Sequence, residues 1–143
     1  MKIFIIIYKE FELTGLNAMD NSADGFNVIR YNVGGFYDIH HDTCINESSS
    51  TSSRIATWIN YLSDVEAGGA TVLPRLNISV FPKKHSAIFW HNLLSSGELD
   101  HDLIHTGCPV LYGEKYIATR WIRSRGQDHL KCSINQKEHI FLV

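Results

Sequence analysis

The chain has 143 residues and a mass of 16.3 kDa, one domain's worth, and a chain of that length buries roughly two-thirds of its unfolded surface in a single core. Apolar residues make up 44% and charged residues 20%, with 13 Lys and Arg against 15 Asp and Glu for a net charge of -2. That balance excludes a disordered charged tail and speaks against a nucleic-acid role, which draws on a concentrated basic face. No run of about 18 apolar residues occurs, so no membrane span is predicted. Histidine is over-used, at 8 residues, and it is both the commonest metal-ligating side chain and the usual acid–base group near neutral pH.

At the start, Ile3 to Tyr8 is apolar. It is shorter than the roughly 7–15-residue core of a secretory signal, and Lys9, Glu10 and Glu12 follow with no small-residue cleavage site, so a short buried strand is predicted and not a signal peptide. Leu13 to Asn21 has room for one helical turn. Short segments rich in β-branched and aromatic residues come next: Phe26 to Val33, Arg54 to Leu62, Ala70 to Pro74, Ser86 to Trp90 and Cys108 to Ile122. Gly, Pro, Asn and Asp clusters separate them. The serine-rich stretch Glu47 to Ser53 cannot bury apolar area and reads as a loop, a candidate lid over a substrate. His91 to Ile104 has some helical spacing, but Ser95, Ser96 and Gly97 break it, so it reads as mostly loop. Many short strands with frequent turns predict an all-β sandwich or barrel.

The segment Tyr31 to Asp42, YNVGGFYDIHHD, carries the chemistry. Gly34 and Gly35 make a turn and an extended run follows. Side chains alternate along a strand, so His40 and Asp42 face one side and can offer two adjacent ligands to one metal. A third ligand would come from a distant histidine, and His105 lies just before the strand-like CPVLY. Two histidines and one carboxylate on one face leave several coordination positions open, the pattern of non-haem Fe(II) oxygenases, whereas catalytic zinc usually keeps a single open position. Alone, a His-x-Asp pair is weak, since two polar residues on a solvent-facing strand are common. His101 and His105, four apart, are a competing helical pair or a solvated face. Lys115 follows Gly113 and reads either as a solvated turn lysine or as a buried cation, which needs an anionic partner to keep its charge. Cys108 and Cys132 could pair and leave Cys44 free, but three cysteines without a CxxC spacing do not decide it.

Several segments resemble the catalytic domain of prolyl 4-hydroxylase alpha subunits, members of the Fe(II)- and 2-oxoglutarate-dependent dioxygenases. They are Thr14 to Leu16, Tyr31 to Asp42, Arg54 to Pro74, Val80 to Asp100 and His105 to His129, in order and near the family spacing. The resemblance implies a double-stranded β-helix (jelly roll) over residues 14–132, with few or truncated supporting helices. Residues 1–13 would be an extension or strand and 133–143 a tail. It implies His40, Asp42 and His105 as iron ligands and Lys115 as the partner of the distal carboxylate of 2-oxoglutarate. Tyr37 and Thr71 would line the cosubstrate site, Trp121 would border the substrate near the iron, and Cys108 and Cys132 would form a disulfide. The implied activity is 4-hydroxylation of peptidyl proline in collagen-like sequences, coupled to decarboxylation of 2-oxoglutarate to succinate, with O2 as oxidant and L-ascorbate keeping iron reduced. Protein disulfide isomerase is the implied partner subunit and the endoplasmic reticulum lumen the implied location. Arg54 is placed to serve the peptide or the surface.

The chain departs from the pattern in two ways. His85 stands where a turn glycine is usual, a position that suits histidine less well if φ is positive. The family also has some tens of residues before the Thr14–Leu16 match, so a truncated domain with a thin supporting shell is expected. Asn46 and Asn77 open glycosylation sequons that matter only in the secretory pathway. The rival expectations are a catalytically inactive metal- or peptide-binding fragment, and a related hydroxylase with another substrate.

Overall fold

Alternating β-branched and polar residues set the backbone into strands wherever one face can be buried. The computed structural model describes residues 10–19, 21–43 and 53–130. Within them lie strands β1 (Asn27–Tyr31), β2 (Tyr37–His40), β3 (Arg54–Tyr61), β4 (Ala67–Gly68), β5 (Thr71–Leu73), β6 (Ile78–Val80), β7 (Ala87–His91), β8 (His105–Gly107), β9 (Val110–Tyr112) and β10 (Lys115–Arg123). One sheet has the order β1-β10-β3-β7 and a second β2-β8-β5-β6, with β4 and β9 paired beside them. Every pairing is antiparallel. This is the jelly-roll architecture that the resemblance implies, and helix is scarce among the described residues.

The long central strands organise the molecule. Along β10, Ile117, Thr119 and Trp121 face a cleft between the sheets. Ala118, Arg120 and Ile122 therefore face the opposite side, where Ile122 packs with Leu16, Ala18 and Ala56. Arg120, buried on that side, lies 3.4 Å from the carboxylate of Glu10 and hydrogen-bonds the carbonyl of Ala18. The amino-terminal segment is thereby pinned to the back of the sheet. The inner cluster is Ile59, Tyr61, Trp90 and Ile117. Each such side chain contributes roughly 1.5–3 kcal/mol when fully buried.

Boundaries shift where local chemistry intervenes. Cys108 to Ile122 is two strands and not one, because Gly113 turns with φ +88° between β9 and β10. Pro74 ends β5 and opens a 3-10 turn, its fixed φ suiting the first helical position. The helical turn expected within 13–21 falls earlier, at residues 10–14, and the chain leaves it at Gly15 with φ +70°. The loop expected for His91 to Ile104 is present, with one 3-10 turn at His101–Leu103. The strand expected for Ile3 to Tyr8, nearly all of the serine loop and the expected tail lie outside the described residues.

His85 adopts φ +70° in the turn before β7, where its amide donates to the carbonyl of Tyr61. Left-handed backbone costs a residue with a Cβ about 1–2 kcal/mol. His85→Gly is accordingly expected to raise the unfolding midpoint by a few degrees, less the entropy that glycine adds to the unfolded chain. A lowered midpoint in thermal denaturation would show that the imidazole holds the turn by contacts that outweigh the strain.

Candidate functional site

β2 and β8 pair with His40 opposite His105, and their ring centroids lie 4.3 Å apart. His40 is the last residue of β2, and Asp42 lies two residues further on, in a bend. Strand alternation is therefore not what joins His40 to Asp42: the strand ends first and the bend turns the carboxylate back. Asp42 Oδ1 is 3.4 Å from His40 Nε2, and Asp42 Oδ2 is 3.6 Å from His105 Nε2. One ligand atom from each of the three residues lies within 4.8 Å of the others, and they form the one such group among the described residues. His101 does not join them; it meets His41 edge-on, with ring centroids 5.7 Å apart.

Each imidazole is oriented through its other nitrogen. His40 Nδ1 meets the carbonyl of Asp38 at 2.7 Å, and His105 Nδ1 meets that of Leu103 at 3.0 Å. A carbonyl only accepts, so both Nδ1 atoms carry the proton and a neutral ring presents its Nε2 lone pair to the cluster. Asp42 is oriented by Thr57, whose hydroxyl donates to Oδ2 at 2.7 Å, and Thr57 is joined in turn to Asn92. Edge-on contacts from Tyr37 to His40 and from Trp90 to His105, at 4.3 and 4.7 Å, complete the packing.

The electrostatics suit metal ligation. Burial alone would raise Asp42, but hydrogen bonding from His40, the charge of His105 and the Thr57 hydroxyl hold it below the usual carboxylate range. Burial lowers His105. Burial also pulls on His40, but its bond to Asp42 and the carbonyl of Asp38 raise it, so a metal binding there would displace a proton from its Nε2. An ionised carboxylate and a neutral imidazole are the ligand-ready states. Two nitrogens and one oxygen that cluster without filling a coordination sphere fit Fe(II) better than a closed structural zinc site.

The cluster opens into a partly open cleft between the sheets, lined by residues of β1, β2, β3, β5, β8 and β10. Tyr37, Thr71 and Trp121, the residues that the resemblance implies for the cosubstrate and substrate, all line it. Thr71 is buried and accepts from the hydroxyl of Tyr61 at 2.8 Å. Lys115 is not a solvated turn lysine: it is 3% exposed, with its ammonium 5.5 Å from the Tyr31 ring and 5.9 Å from the Tyr61 ring. No carboxylate of the described residues forms an ion pair with it, and burial lowers its pKa to about 8. A Cβ placed on Gly107 would sit 4.0 Å from that ammonium. Gly107 is two residues from His105 along β8, about 7 Å at strand rise, the order of length of a five-carbon dicarboxylate.

At the cleft wall the Arg54 guanidinium lies 3.9 Å from the Trp121 ring centre. Arg54 Nε is 3.4 Å from Asp24, and its Nη1 donates to the backbone carbonyl of Asp42 at 3.3 Å. Cys108 is half-buried beside β8, but Cys132 lies outside the described residues. Sequence reading missed Thr57 and Asn92. A threonine at the same parity as the core residues Ile59 and Tyr61 is a usable hint for the first, but Asn92 carries no such hint.

Comparison with known proteins agrees with this geometry. A model of the 2OG-Fe(II) oxygenase superfamily matches residues 26–123. Human prolyl 4-hydroxylase subunit alpha-1 is 42% identical over 134 residues, which is 89% of this chain and 25% of that protein. Human prolyl 4-hydroxylase subunit alpha-3 is 39% identical over 143 residues, 96% of this chain and 26% of that one. The chain thus spans about a quarter of the length of the curated relatives it matches. Among solved structures, the viral collagen prolyl hydroxylase of Paramecium Bursaria Chlorella virus-1 superposes with a TM-score of 0.68 at 31% identity, covering 86% of this chain and 73% of that one. With the family model matching residues 26–123, more than half of its length, the chain belongs to the 2OG-Fe(II) oxygenase superfamily.

Proposed function

We propose that this chain is the catalytic domain of a peptidyl-proline 4-hydroxylase, occupying residues 14–132. The observation that carries this reading is the convergence of His40, Asp42 and His105 in one cleft, with the ammonium of buried Lys115, unpaired with any carboxylate of the described residues, lying behind the cleft residue Gly107. The similarity to prolyl 4-hydroxylase alpha subunits supports the choice of substrate class.

His40 Nε2, Asp42 and His105 Nε2 would hold Fe(II). When bound with 2-oxoglutarate and O2, the iron supplies the oxidation that converts peptidyl proline, 2-oxoglutarate and O2 into hydroxyproline, succinate and CO2. The remaining work belongs to the protein. Lys115 binds and charge-balances the distal carboxylate of the cosubstrate, and Thr71 and Tyr37 orient it from the walls. Tyr61 holds the Thr71 hydroxyl in place through its own. Trp121, backed by Arg54, presents a flat face to a proline ring and excludes water from that side. L-ascorbate as reductant, a protein disulfide isomerase partner, the endoplasmic reticulum lumen and a Cys108–Cys132 bridge complete the reading on the family resemblance.

The test is mass spectrometry of a (Pro-Pro-Gly)-repeat peptide incubated with the chain, Fe(II), 2-oxoglutarate and ascorbate. One added oxygen per modified proline, with one succinate formed for each, is expected. Succinate without peptide oxidation would point to another substrate. Metal binding with no succinate at all would identify an inactive binding fragment.

A further inference from the structure

The two histidines are oriented by backbone carbonyls, but Asp42 is oriented by side chains. Thr57 is 0% exposed and Asn92 is 3% exposed, so neither polar group has water to turn to. Thr57 has one hydroxyl proton and two acceptors in reach, Asp42 Oδ2 at 2.7 Å and Asn92 Oδ1 at 3.2 Å. The shorter, charge-assisted bond takes the proton. Asn92 Nδ2 then donates to the Thr57 hydroxyl oxygen at 3.1 Å and to the carbonyl of Arg54 at 3.2 Å. The Asn92 backbone amide is tied to the carbonyl of Ile55 at 2.8 Å. The relay runs from the rigid β3 backbone through Asn92 and Thr57 to one oxygen of Asp42. It leaves Oδ1, the oxygen 3.4 Å from His40 Nε2, with no hydroxyl donor.

We propose that Thr57 and Asn92 are positioning residues that select Oδ1 of Asp42 as the metal-facing oxygen. By engaging Oδ2 they hold the carboxylate to a single ligand atom and keep the rest of the metal's face open. This rests on the metal-site reading above and adds the residues that set the carboxylate's presentation. Partners of this kind typically change metal affinity 10- to 100-fold when removed.

The test is titration of the metal-free chain with Co(II), followed by the visible absorption of the bound ion, in wild type, Thr57→Val, Thr57→Ser, Asn92→Ala and the Thr57→Val/Asn92→Ala double variant. Thr57→Val keeps the shape and removes the hydroxyl, so a 10- to 100-fold loss of affinity and an altered spectrum are expected. Thr57→Ser should restore both. The double variant should bind no more weakly than Thr57→Val, since Asn92 acts only through the hydroxyl. Wild-type affinity in Thr57→Val overturns the relay, as does an equal loss in Thr57→Ser or strict additivity in the double variant. Should Thr57→Val not fold, Asn92→Ala decides: weakened Co(II) binding beside an unaffected Thr57→Ser supports the relay, and unchanged binding overturns it. If the wild type takes up no Co(II), or His40→Ala takes it up equally well, the metal-site reading fails and the relay with it.

Discussion

Asp42→Ala should lose Fe(II) binding and succinate formation together, and by more than 100-fold. Even groups that only orient a ligand are worth roughly 10- to 100-fold in metal affinity, and Asp42 would supply the single anionic donor of the set. The substitution also strands His40 Nε2 and His105 Nε2, which lie within 3.4 and 3.6 Å of its carboxylate oxygens. Their Nδ1 bonds to Asp38 and Leu103 remain, so both rings should keep their orientation and the sheet its fold. His40→Ala and His105→Ala are expected to match. Circular dichroism and thermal unfolding would verify the fold, and equilibrium dialysis with anaerobic Fe(II) would measure binding. A folded Asp42→Ala chain that retains near-normal turnover would exclude this residue from the metal site.

Lys115→Met should weaken 2-oxoglutarate binding while stabilising the empty protein. A hydrogen bond to a charged group is worth about 1.5–3 kcal/mol, so the dissociation constant should rise roughly 10- to 150-fold, with little effect on the peptide's. The stability effect has the opposite sign. Burial depresses the Lys115 pKa from 10.5 to about 8. Between those values the unfolded chain binds more protons than the folded one, so this group makes stability rise with pH across the window. Below about pH 8 the folded state carries the full cost of an unpaired buried ammonium, on the order of 3 kcal/mol. Methionine removes that cost, so at pH 7 the variant should melt above wild type, and the advantage should vanish towards pH 10.5. For the wild type, cosubstrate affinity should decline as pH rises past about 8, because a neutral amine cannot balance a carboxylate. Calorimetry of 2-oxoglutarate binding with Mn(II) in place of iron would measure the two binding effects, and thermal denaturation of the empty protein between pH 7 and 10.5 the stability effect. An unchanged dissociation constant in Lys115→Met would place the cosubstrate carboxylate elsewhere.

Much of this was legible in the residues because strand chemistry is local. The β-branched and aromatic content of Arg54 to Leu62 and of Cys108 to Ile122 marked the two central strands, though not the break at Gly113 within the second segment. His40, Asp42 and His105 could be named because each belongs to a recognisable local pattern. What the sequence could not supply was the third dimension. His40 and Asp42 meet through a bend and not along a strand, a difference that spacing alone does not register. The environment of Lys115 depends on Tyr31, Tyr61 and Gly107, which converge from three other strands. Thr57 and Asn92 lie 35 residues apart in the chain and become partners only when β3 pairs with β7. Where a residue's role comes from its own type it was visible, and where the role comes from a partner across the sheet it was not.

Anaerobic addition of 2-oxoglutarate to the Fe(II)-loaded chain, followed by visible absorption, tests the convergence of the three ligands most directly. A charge-transfer band arises when a 2-oxo acid chelates Fe(II), so a band saturating at one equivalent each of iron and 2-oxoglutarate is predicted. It should be absent in Asp42→Ala and in His105→Ala, and should need far more 2-oxoglutarate in Lys115→Met. A band of wild-type strength in either ligand variant, or no band in the folded wild type, would contradict a metal site built from His40, Asp42 and His105.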